Sequence, residues 1–225
     1  MNMIRECEEH GYHRNEVCPY CGEEGKFIMS DYEVEKVGRT LAGILRHGKY
    51  GLEMDSQGFV SMRDVLTKVK ERNPRMGWIR TRHIEALVET DPKGRYVISG
   101  GKIRATYGHT IPLDIKLDCE NIPDELYYPA TPEETELLME AGIYPADRAM
   151  VHLSLTYRDA LRAGSVRVDD PVILIVDTGV CMDMGSDIGK AARTVHLCRH
   201  VPPEALSIAD PEDYEDQVDD AEDDE

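Results

Sequence analysis

The spacing of apolar residues predicts a long amphipathic helix over residues 31–47. Its apolar positions lie three and four residues apart, as on one face of a helix. They are Val34, Val37, Leu41, Ile44 and Leu45. Ser30 or Asp31 can cap the start of this helix, and Gly48 follows its end as a stop signal.

Two more helices and a β-hairpin are predicted after this helix. Ser61 precedes a helical pattern of apolar residues, and residues 78–88 suggest a third helix. The β-like runs 96–98 and 102–105 are joined by Ser99-Gly100-Gly101, which is a hairpin signal. Three helices followed by a hairpin are typical of a winged helix, a fold that often binds nucleic acid.

The second half of the chain alternates short strands with short helices. Strands are predicted at 126–128, 151–154, 172–177 and 195–198, and helices from Thr131 and over 157–161. No Gly-x-Gly-x-x-Gly motif follows a strand, which argues against a Rossmann site. We therefore expect an α+β protein with a domain boundary at Ile122-Pro123.

Residues 1–28 contain two pairs of ligand-type residues, each pair spaced three apart. The four residues are Cys7, His10, Cys18 and Cys21. Together they would form a closed Cys₃His site for structural zinc, with His13 as an alternative to His10. A reduced Cys-x-x-Cys pair with a redox role, or with none, is the other interpretation. Zinc is favoured because so short a segment cannot otherwise bury a core.

Charge is the feature of the composition that most affects the functional interpretation. The 225 residues carry a net charge of −18, but eleven acidic residues and no Lys or Arg lie in 210–225. The segment 209–225 is therefore predicted to be a disordered acidic tail. The remaining chain still has a net charge of −7, so any contact with RNA would depend on a local positive cleft.

Cysteine usage and hydropathy indicate a cytoplasmic protein. Six cysteines occur without a secretory signal, and no apolar run approaches membrane-spanning length. A monomer is expected.

Adjacent Arg46 and His47, at the end of the first predicted helix, are the main candidates for chemistry. The arginine fork fits a phosphate, and the imidazole can exchange a proton near neutral pH. The pair thus suits a phosphorylated substrate. The alternative is a helix end at which positive side chains favour the helix dipole.

Several co-linear segments resemble the NAD-dependent RNA 2′-phosphotransferase family, which removes the splice-junction 2′-phosphate from tRNA. The segments are Leu-Ala-Gly-Ile-Leu-Arg-His-Gly at 41–48, Asp-Ser-Gln-Gly-Phe-Val at 55–60, Asp-Pro-Lys-Gly-Arg-Tyr at 91–96, Ile-Arg-Ala-Thr-Tyr-Gly-His-Thr at 103–110, Arg-Ala-Met-Val-His-Leu-Ser at 148–154, Asp-Pro-Val-Ile-Leu at 170–174 and His-Val-Pro-Pro-Glu at 200–204. Together they extend over roughly residues 33–207, and their order makes the match specific.

The resemblance implies a reaction in two steps. The RNA 2′-phosphate attacks the ribose carbon of NAD that bears nicotinamide, and nicotinamide leaves. The ribose 2″-hydroxyl then attacks the phosphate, which frees the RNA 2′-hydroxyl and gives ADP-ribose 1″,2″-cyclic phosphate. Such chemistry needs positive donors around the phosphate and needs no metal.

The resemblance also implies an architecture for the chain. A winged-helix RNA lobe is expected at 29–122. The zinc knuckle at 1–28 is predicted by the Cys/His spacing alone, because the family does not require it. A small ADP-ribosyltransferase-like NAD lobe is expected at 123–208.

By the same resemblance, the catalytic residues are Arg46, His47, Arg104 and Arg167. Arg162 is the alternative to Arg167, because the segment 164–171 is one residue longer than the family pattern. The expected NAD contacts are His152, Ser154, Arg148 and Tyr128. Tyr128 stands where many relatives have histidine. His109 could touch RNA, position a loop or simply pack within it.

Two other functions stay open. An ADP-ribosyltransferase that caps phosphorylated nucleic-acid ends would stop after the first step, and the altered sequence at 128–130 leaves this open. A non-catalytic zinc and winged-helix protein would bind nucleic acid but not NAD.

Overall fold

The structure is a computed structural model that describes residues 3–215. The chain divides into two compact units, the first ending at Ile115 and the second beginning at Lys116. This division lies before the predicted boundary at 122–123. The reason is that the amide of Lys190 donates a hydrogen bond of 2.6 Å to the carbonyl of Asp118, which places the connecting segment in the second unit.

The first unit contains two three-stranded antiparallel sheets and three helices. Strands β1 (Ile4–Cys7), β2 (Gly11–His13) and β3 (Lys26–Met29) form a sheet of order β2-β1-β3. Then follow α1 (Asp31–His47), β4 (Val60–Ser61), α2 (Met62–Arg72), a 3₁₀ turn (Pro74–Met76), α3 (Thr81–Glu89), β5 (Tyr96–Ser99) and β6 (Lys102–Ala105). The second sheet has the order β4-β6-β5. The three predicted helices and the hairpin are confirmed, whereas β1–β3 were not predicted.

Helix α1 forms as the apolar spacing predicts. The Ser30 side chain accepts from the amide of Glu33, and the Glu33 carboxylate accepts from the amide of Ser30, which completes a capping box. Gly48 ends the helix in the left-handed region, with φ 57°. The buried face, which includes Leu41 and Ile44, packs into the core of the first unit.

The β5–β6 hairpin is fixed by its turn. Gly100 and Gly101 both have positive φ values, 55° and 73°, and Ser99 pairs directly with Lys102. Such a two-residue turn matches the twist of the flanking strands. The third helix begins later than predicted, at Thr81, so residues 78–79 lie in the connection that precedes it.

The second unit is built on one six-stranded antiparallel sheet of order β10-β11-β8-β7-β9-β12. Its elements are β7 (Glu125–Ala130), α4 (Pro132–Ala141), β8 (Val151–Ser154), α5 (Tyr157–Gly164), β9 (Val172–Asp177), α6 (Thr178–Asp183), β10 (Ile188–Lys190), β11 (Val195–Cys198) and β12 (Leu206–Ile208). The predicted strands and helices are confirmed. None of the helices in residues 3–215 has the length and apolar character needed to cross a membrane.

The beginning of the acidic tail is ordered, contrary to the prediction. Ala209 is buried, and Pro211–Tyr214 form a 3₁₀ turn. The Tyr214 ring stacks on Tyr157 at 4.4 Å between centroids and meets Tyr127 edge-on. These aromatic contacts hold the acidic segment against β7 and α5 despite its charge. Residues 216–225, the rest of the predicted tail, lie outside the described residues.

A buried ion pair stabilises the connection between α3 and β5. The Asp91 carboxylate is fully buried and accepts from the amide of Arg95 and from its Nε and Nη2, at 2.6–3.1 Å. Burial acts to raise the pKa of Asp91, but the hydrogen bonds and charge of Arg95 outweigh it and lower the pKa.

Replacing Asp91 with Asn is expected to lower the free energy of unfolding by about 2–3 kcal/mol at pH 7, because the half-buried guanidinium loses its counter-ion. The folded pKa lies below the unfolded one, so this stabilisation exists above about pH 4 and disappears as the pH falls through the folded value. Urea unfolding at several pH values measures it. Glu35→Gln is the control: it removes the exposed pair with Arg39 and should cost about 0.5 kcal/mol or less. Equal losses in both variants would contradict the prediction.

Candidate active site

The last turn of α1 carries Arg46 and His47 and is bound to the loop that follows β6. The amide of Thr110 donates to the carbonyl of Arg46 at 3.0 Å. The hydroxyl of Thr110 lies 3.0 Å from Nδ1 of His47. One residue of the loop thus fixes both the end of the helix and the orientation of the exposed imidazole.

The Arg46 guanidinium lies against the same loop. It is 4.8 Å from the centre of the Tyr107 ring, a cation–π contact. Gly108 has a φ of 81°, and a Cβ there would lie 3.2 Å from Cζ of Arg46. Glycine is therefore needed at 108 for both the backbone conformation and the close approach.

Arg104 approaches the same region from β6. Its guanidinium lies 5.1 Å from the centre of the Phe59 ring. Nε and Nη1 of Arg104, like Nε and Nη2 of Arg46, are buried and have no hydrogen-bond partner among the described residues. Buried donors are normally satisfied, so four such nitrogens on two arginines indicate a site for an anion.

His109 lies among these cations. It is only 5% exposed, and its Nε2 is without a partner within residues 3–215. Burial, and then the charges of Arg46, Arg104 and His47, lower its pKa to about 4. We call Arg46, His47, Arg104 and His109 the cationic cluster.

Gly58 borders the cationic cluster. It has a φ of 84°, and a Cβ there would lie 3.0 Å from Cδ1 of Leu113, 3.7 Å from Nε2 of His109 and 3.9 Å from Cβ of Arg104. Glycine at 58 therefore allows both the left-handed backbone conformation and the close packing of these side chains.

The other predicted site residues lie in the second unit and form two groups. In the first, Nη2 of Arg167 donates to Glu134 at 3.1 Å. Tyr128 lies nearby: burial and Glu134 raise its pKa, whereas Arg167 and Arg148 act in the opposite direction. The alternative residue, Arg162, is exposed in the last turn of α5.

His152 and Ser154 form the second group, on the opposite face of the sheet from Tyr128. Ser154 is paired directly with Tyr127, so these side chains share one face, whereas Tyr128 faces the other way. Nδ1 of His152 lies 2.9 Å from the Met150 carbonyl, a contact that orients its ring. The four expected NAD contacts therefore do not all converge.

The N-terminal ligand residues are brought together as a metal centre requires. Their ligand atoms all lie within 4.8 Å of one another, and the residues are Cys7, His10, Cys18 and Cys21. The sulfurs of Cys7 and Cys21 are 3.6 Å apart, and Nδ1 of His10 lies 3.4 Å from the Cys7 sulfur. His13 is not in this cluster: its Nδ1 lies 3.1 Å from the Asn15 carbonyl.

The spacing of these atoms fits a tetrahedral ion. Zn–S bonds of about 2.3 Å place two sulfurs roughly 3.8 Å apart around one zinc. Burial acts to raise the pKa of Cys18, but hydrogen bonds from the amides of Cys21 and Tyr20 help to bring it to about 7. The donor set thus favours a soft divalent metal.

Comparison with known proteins settles the family. Residues 32–200 match the family described as RNA 2′-phosphotransferase, Tpt1 / KptA family. The chain belongs to this family. It is 46% identical over 216 residues to the "Probable RNA 2′-phosphotransferase" of Thermoplasma acidophilum, covering 95% of this chain and 91% of that protein.

Two other relatives show how far the similarity extends. The "Probable RNA 2′-phosphotransferase" of Methanosarcina mazei is 38% identical over 208 residues, 92% of this chain and 99% of its own length. The protein of the same name from Pyrococcus furiosus is 38% identical over 174 residues, 76% of this chain and 93% of its own length. The family match begins after β3, so the N-terminal segment that carries the metal ligands precedes it.

The structure brings Arg46, His47 and Arg104 of the predicted site close together, and it adds two aromatic contacts to which the sequence analysis assigned no role. Phe59 and Tyr107 were part of the matched motifs, and each stacks on one arginine. No single motif signals these pairs, because each ring lies in a different motif from its arginine. Tyr107 of 103–110 contacts Arg46 of 41–48, and Phe59 of 55–60 contacts Arg104 of 103–110, so both pairs depend on tertiary contacts.

The stability of the protein should report the charge state of His109. Its folded pKa lies below the unfolded value of about 6.5, so the fold favours the neutral form and loses stability as the pH falls toward 4. We expect the wild type to lose about 2–3 kcal/mol more than His109→Gln between pH 7 and 4. Urea unfolding at intermediate pH values measures this difference, and parallel pH profiles for the two proteins would contradict it.

Proposed function

We propose that this chain is an NAD-dependent RNA 2′-phosphotransferase that removes an internal 2′-phosphate, such as that left by tRNA splicing. The observation that carries the proposal is the set of buried, unpartnered guanidinium nitrogens of Arg46 and Arg104 around His109. Membership of the RNA 2′-phosphotransferase family supports the same function.

The cationic cluster accounts for the phosphate side of the reaction. Arg46 and Arg104 hold the 2′-phosphate and compensate the charge that develops on its oxygens. Both guanidinium groups are already oriented by the rings of Tyr107 and Phe59, so binding requires little reorganisation. His109 lies beside the bound oxygens and adds a further polar contact through Nε2.

His47 is suited to the second step. Burial, and then the charges of Lys49 and Arg46, lower its pKa, so the imidazole is neutral at physiological pH. With Nδ1–H donating to the Thr110 hydroxyl, Nε2 is the unprotonated nitrogen that accepts the proton of the NAD 2″-hydroxyl. That hydroxyl then attacks the phosphate and releases the RNA 2′-oxygen.

NAD is proposed as the co-substrate of the second unit, which would have an ADP-ribosyltransferase-like fold. His152 and Ser154 are the candidates for the nicotinamide ribose, and Arg148 and Arg167 for the pyrophosphate or the transferred phosphate. Both arginines are near enough to Tyr128 to act on its pKa, which each of them lowers against the effect of burial. A guanidinium has five N–H groups, so the pair with Glu134 leaves Arg167 with donors for an anion.

The first unit is proposed to be an RNA lobe of the winged-helix type, preceded by a structural zinc site. Its three helices and hairpin support the lobe, and the Cys₃His cluster supports the metal. A cytoplasmic location belongs to the same proposal, because the three ligand cysteines must stay reduced to bind a metal. The expectation of a monomer stays a prediction.

The direct test is to incubate the protein with RNA that carries one internal 2′-phosphate, with and without NAD. NAD-dependent loss of the phosphate with formation of ADP-ribose 1″,2″-cyclic phosphate supports the proposal. Accumulation of ADP-ribosylated RNA would indicate the one-step transferase, and absence of NAD binding would leave a nucleic-acid-binding module.

Substitutions in the cationic cluster should separate the two steps. Arg46→Ala and Arg104→Ala should each lower kcat at least about 100-fold, because each removes a positioned donor from the phosphate.

His47→Ala should keep NAD binding and the first step, but accumulate ADP-ribosylated RNA. Arg39→Ala, on the same helix but exposed and paired with Glu35, is the control and should be fully active. Full activity of the His47 variant would refute its role.

Metal analysis tests the N-terminal site. We expect one zinc per chain in the wild type and in His13→Ala, and loss of zinc from His10→Ala and Cys18→Ser. Cys119→Ser is the matched control, because Cys119 is an exposed free cysteine outside the cluster. Zinc retained in the Cys18 variant, or absent from the wild type, would reject the assignment.

A further inference from the structure

A basic segment of this acidic chain contacts the loop that follows α1 through Arg72. Residues 63–82 contain seven Lys or Arg and two Asp or Glu, against a net charge of −18 for the whole chain. The segment covers most of α2 and the start of α3. Charge of this sign suits a polyanion, and the contact with Tyr50 described below connects it to the end of α1.

Tyr50 is held in an unusual backbone conformation three residues after His47. Its φ is 77°, a left-handed value that few residues with side chains adopt, and the side chain is 39% exposed. A Cβ on Gly43 would lie 3.3 Å from Cε2 of the Tyr50 ring, so the ring packs on this glycine. Strained backbone with an exposed aromatic ring is more frequent at functional sites than elsewhere.

The position of Tyr50 relates it directly to the cationic cluster. Gly43, Arg46 and His47 are three and four residues apart and thus share one face of α1. The ring that rests on Gly43 therefore lies about one helical turn, roughly 5 Å along the axis, from the two site residues. A nucleotide beside the one held at Arg46 and His47 would reach this ring.

Arg72 completes the surface at the end of α2. Its guanidinium lies over the Tyr50 ring, 5.0 Å from the centre. The following residue, Asn73, donates to Thr40 on α1 at 3.1 Å and to the Val69 carbonyl at 2.9 Å, which fixes the end of α2 against α1. Lys49 adds a further charge next to His47.

We propose that Lys49, Tyr50 and Arg72 form a subsite for the RNA nucleotide next to the one that carries the 2′-phosphate. The base stacks on the Tyr50–Arg72 pair, and the backbone phosphate is held by the two positive charges. Aromatic rings and guanidinium planes are the usual platforms for unstacked RNA bases. The subsite rests on the proposed function, since the cationic cluster defines which nucleotide is next.

The experiment compares two substrates that differ in the neighbouring nucleotide. Adenosine 2′-phosphate has none, whereas a single-stranded RNA with one internal 2′-phosphate has one on each side. For Tyr50→Gly and Arg72→Ala, KM for the RNA should rise at least fivefold with kcat unchanged. The kinetics with adenosine 2′-phosphate should stay as in the wild type. Glycine is chosen at 50 because it tolerates the positive φ.

The chain offers a second cation–π pair, on α1, as a control. Lys36 lies over the ring of Tyr32 at 5.5 Å, near the start of α1, about four turns from His47. Tyr32→Gly and Lys36→Ala should leave both KM values unchanged, while Tyr50→Phe should retain stacking. Arg72→Ala should also reduce the dependence of RNA binding on salt concentration by about one counter-ion.

Three results would overturn the subsite. They are an unchanged KM for RNA in the Tyr50 and Arg72 variants, an equal loss with both substrates, or the same loss in the control pair. If the wild type turns over neither substrate, the proposed function fails. In that case the subsite is tested separately by fluorescence anisotropy with the same RNA lacking the 2′-phosphate. The Tyr50 and Arg72 variants should bind this RNA at least fivefold more weakly than the control variants.

Discussion

The contact between Thr110 and the end of α1 is the constraint on which the candidate site depends. Through its amide and hydroxyl, this one residue contacts the carbonyl of Arg46 in the last turn of α1 and the imidazole of the next residue, His47. The loop before it carries the ring and the glycine that hold Arg46. The carbonyls at the end of a helix have no partner within the helix and usually face water. At the end of α1 the contacts with the loop instead fix the positions of an arginine and a histidine.

The cationic cluster opposes folding, because it brings like charges and unpaired hydrogen-bond donors close together in a partly buried site. The fold compensates locally with aromatic faces, which attract guanidinium groups and exclude water from one side of them. It also responds by keeping His109 uncharged. An anion bound among these side chains would relieve the repulsion and would stabilise the folded protein.

Much of this architecture could be predicted from the sequence wherever the signal is local. The apolar spacing and caps of α1 determine the helix, and two glycines determine the β5–β6 turn. The separation of Tyr128 from His152 could not be predicted, because it depends on how β7 and β8 pair across the sheet. The packing of Tyr214 could not be predicted either, because the surrounding sequence is highly charged and the stacking partner, Tyr157, is distant in sequence.

The N-terminal strands lie outside the region that matches the family, but they belong to the same hydrophobic core as that region. The family match starts at residue 32, yet Ile4, Ile28 and Met29 are buried in the same core as α1. Arg14 also donates to Thr90 beyond the end of α3. A fragment trimmed to the matched region would expose the apolar surface that Ile4, Ile28 and Met29 cover. The helix that carries Arg46 and His47 therefore packs on a core that is complete only when the N-terminal strands are present.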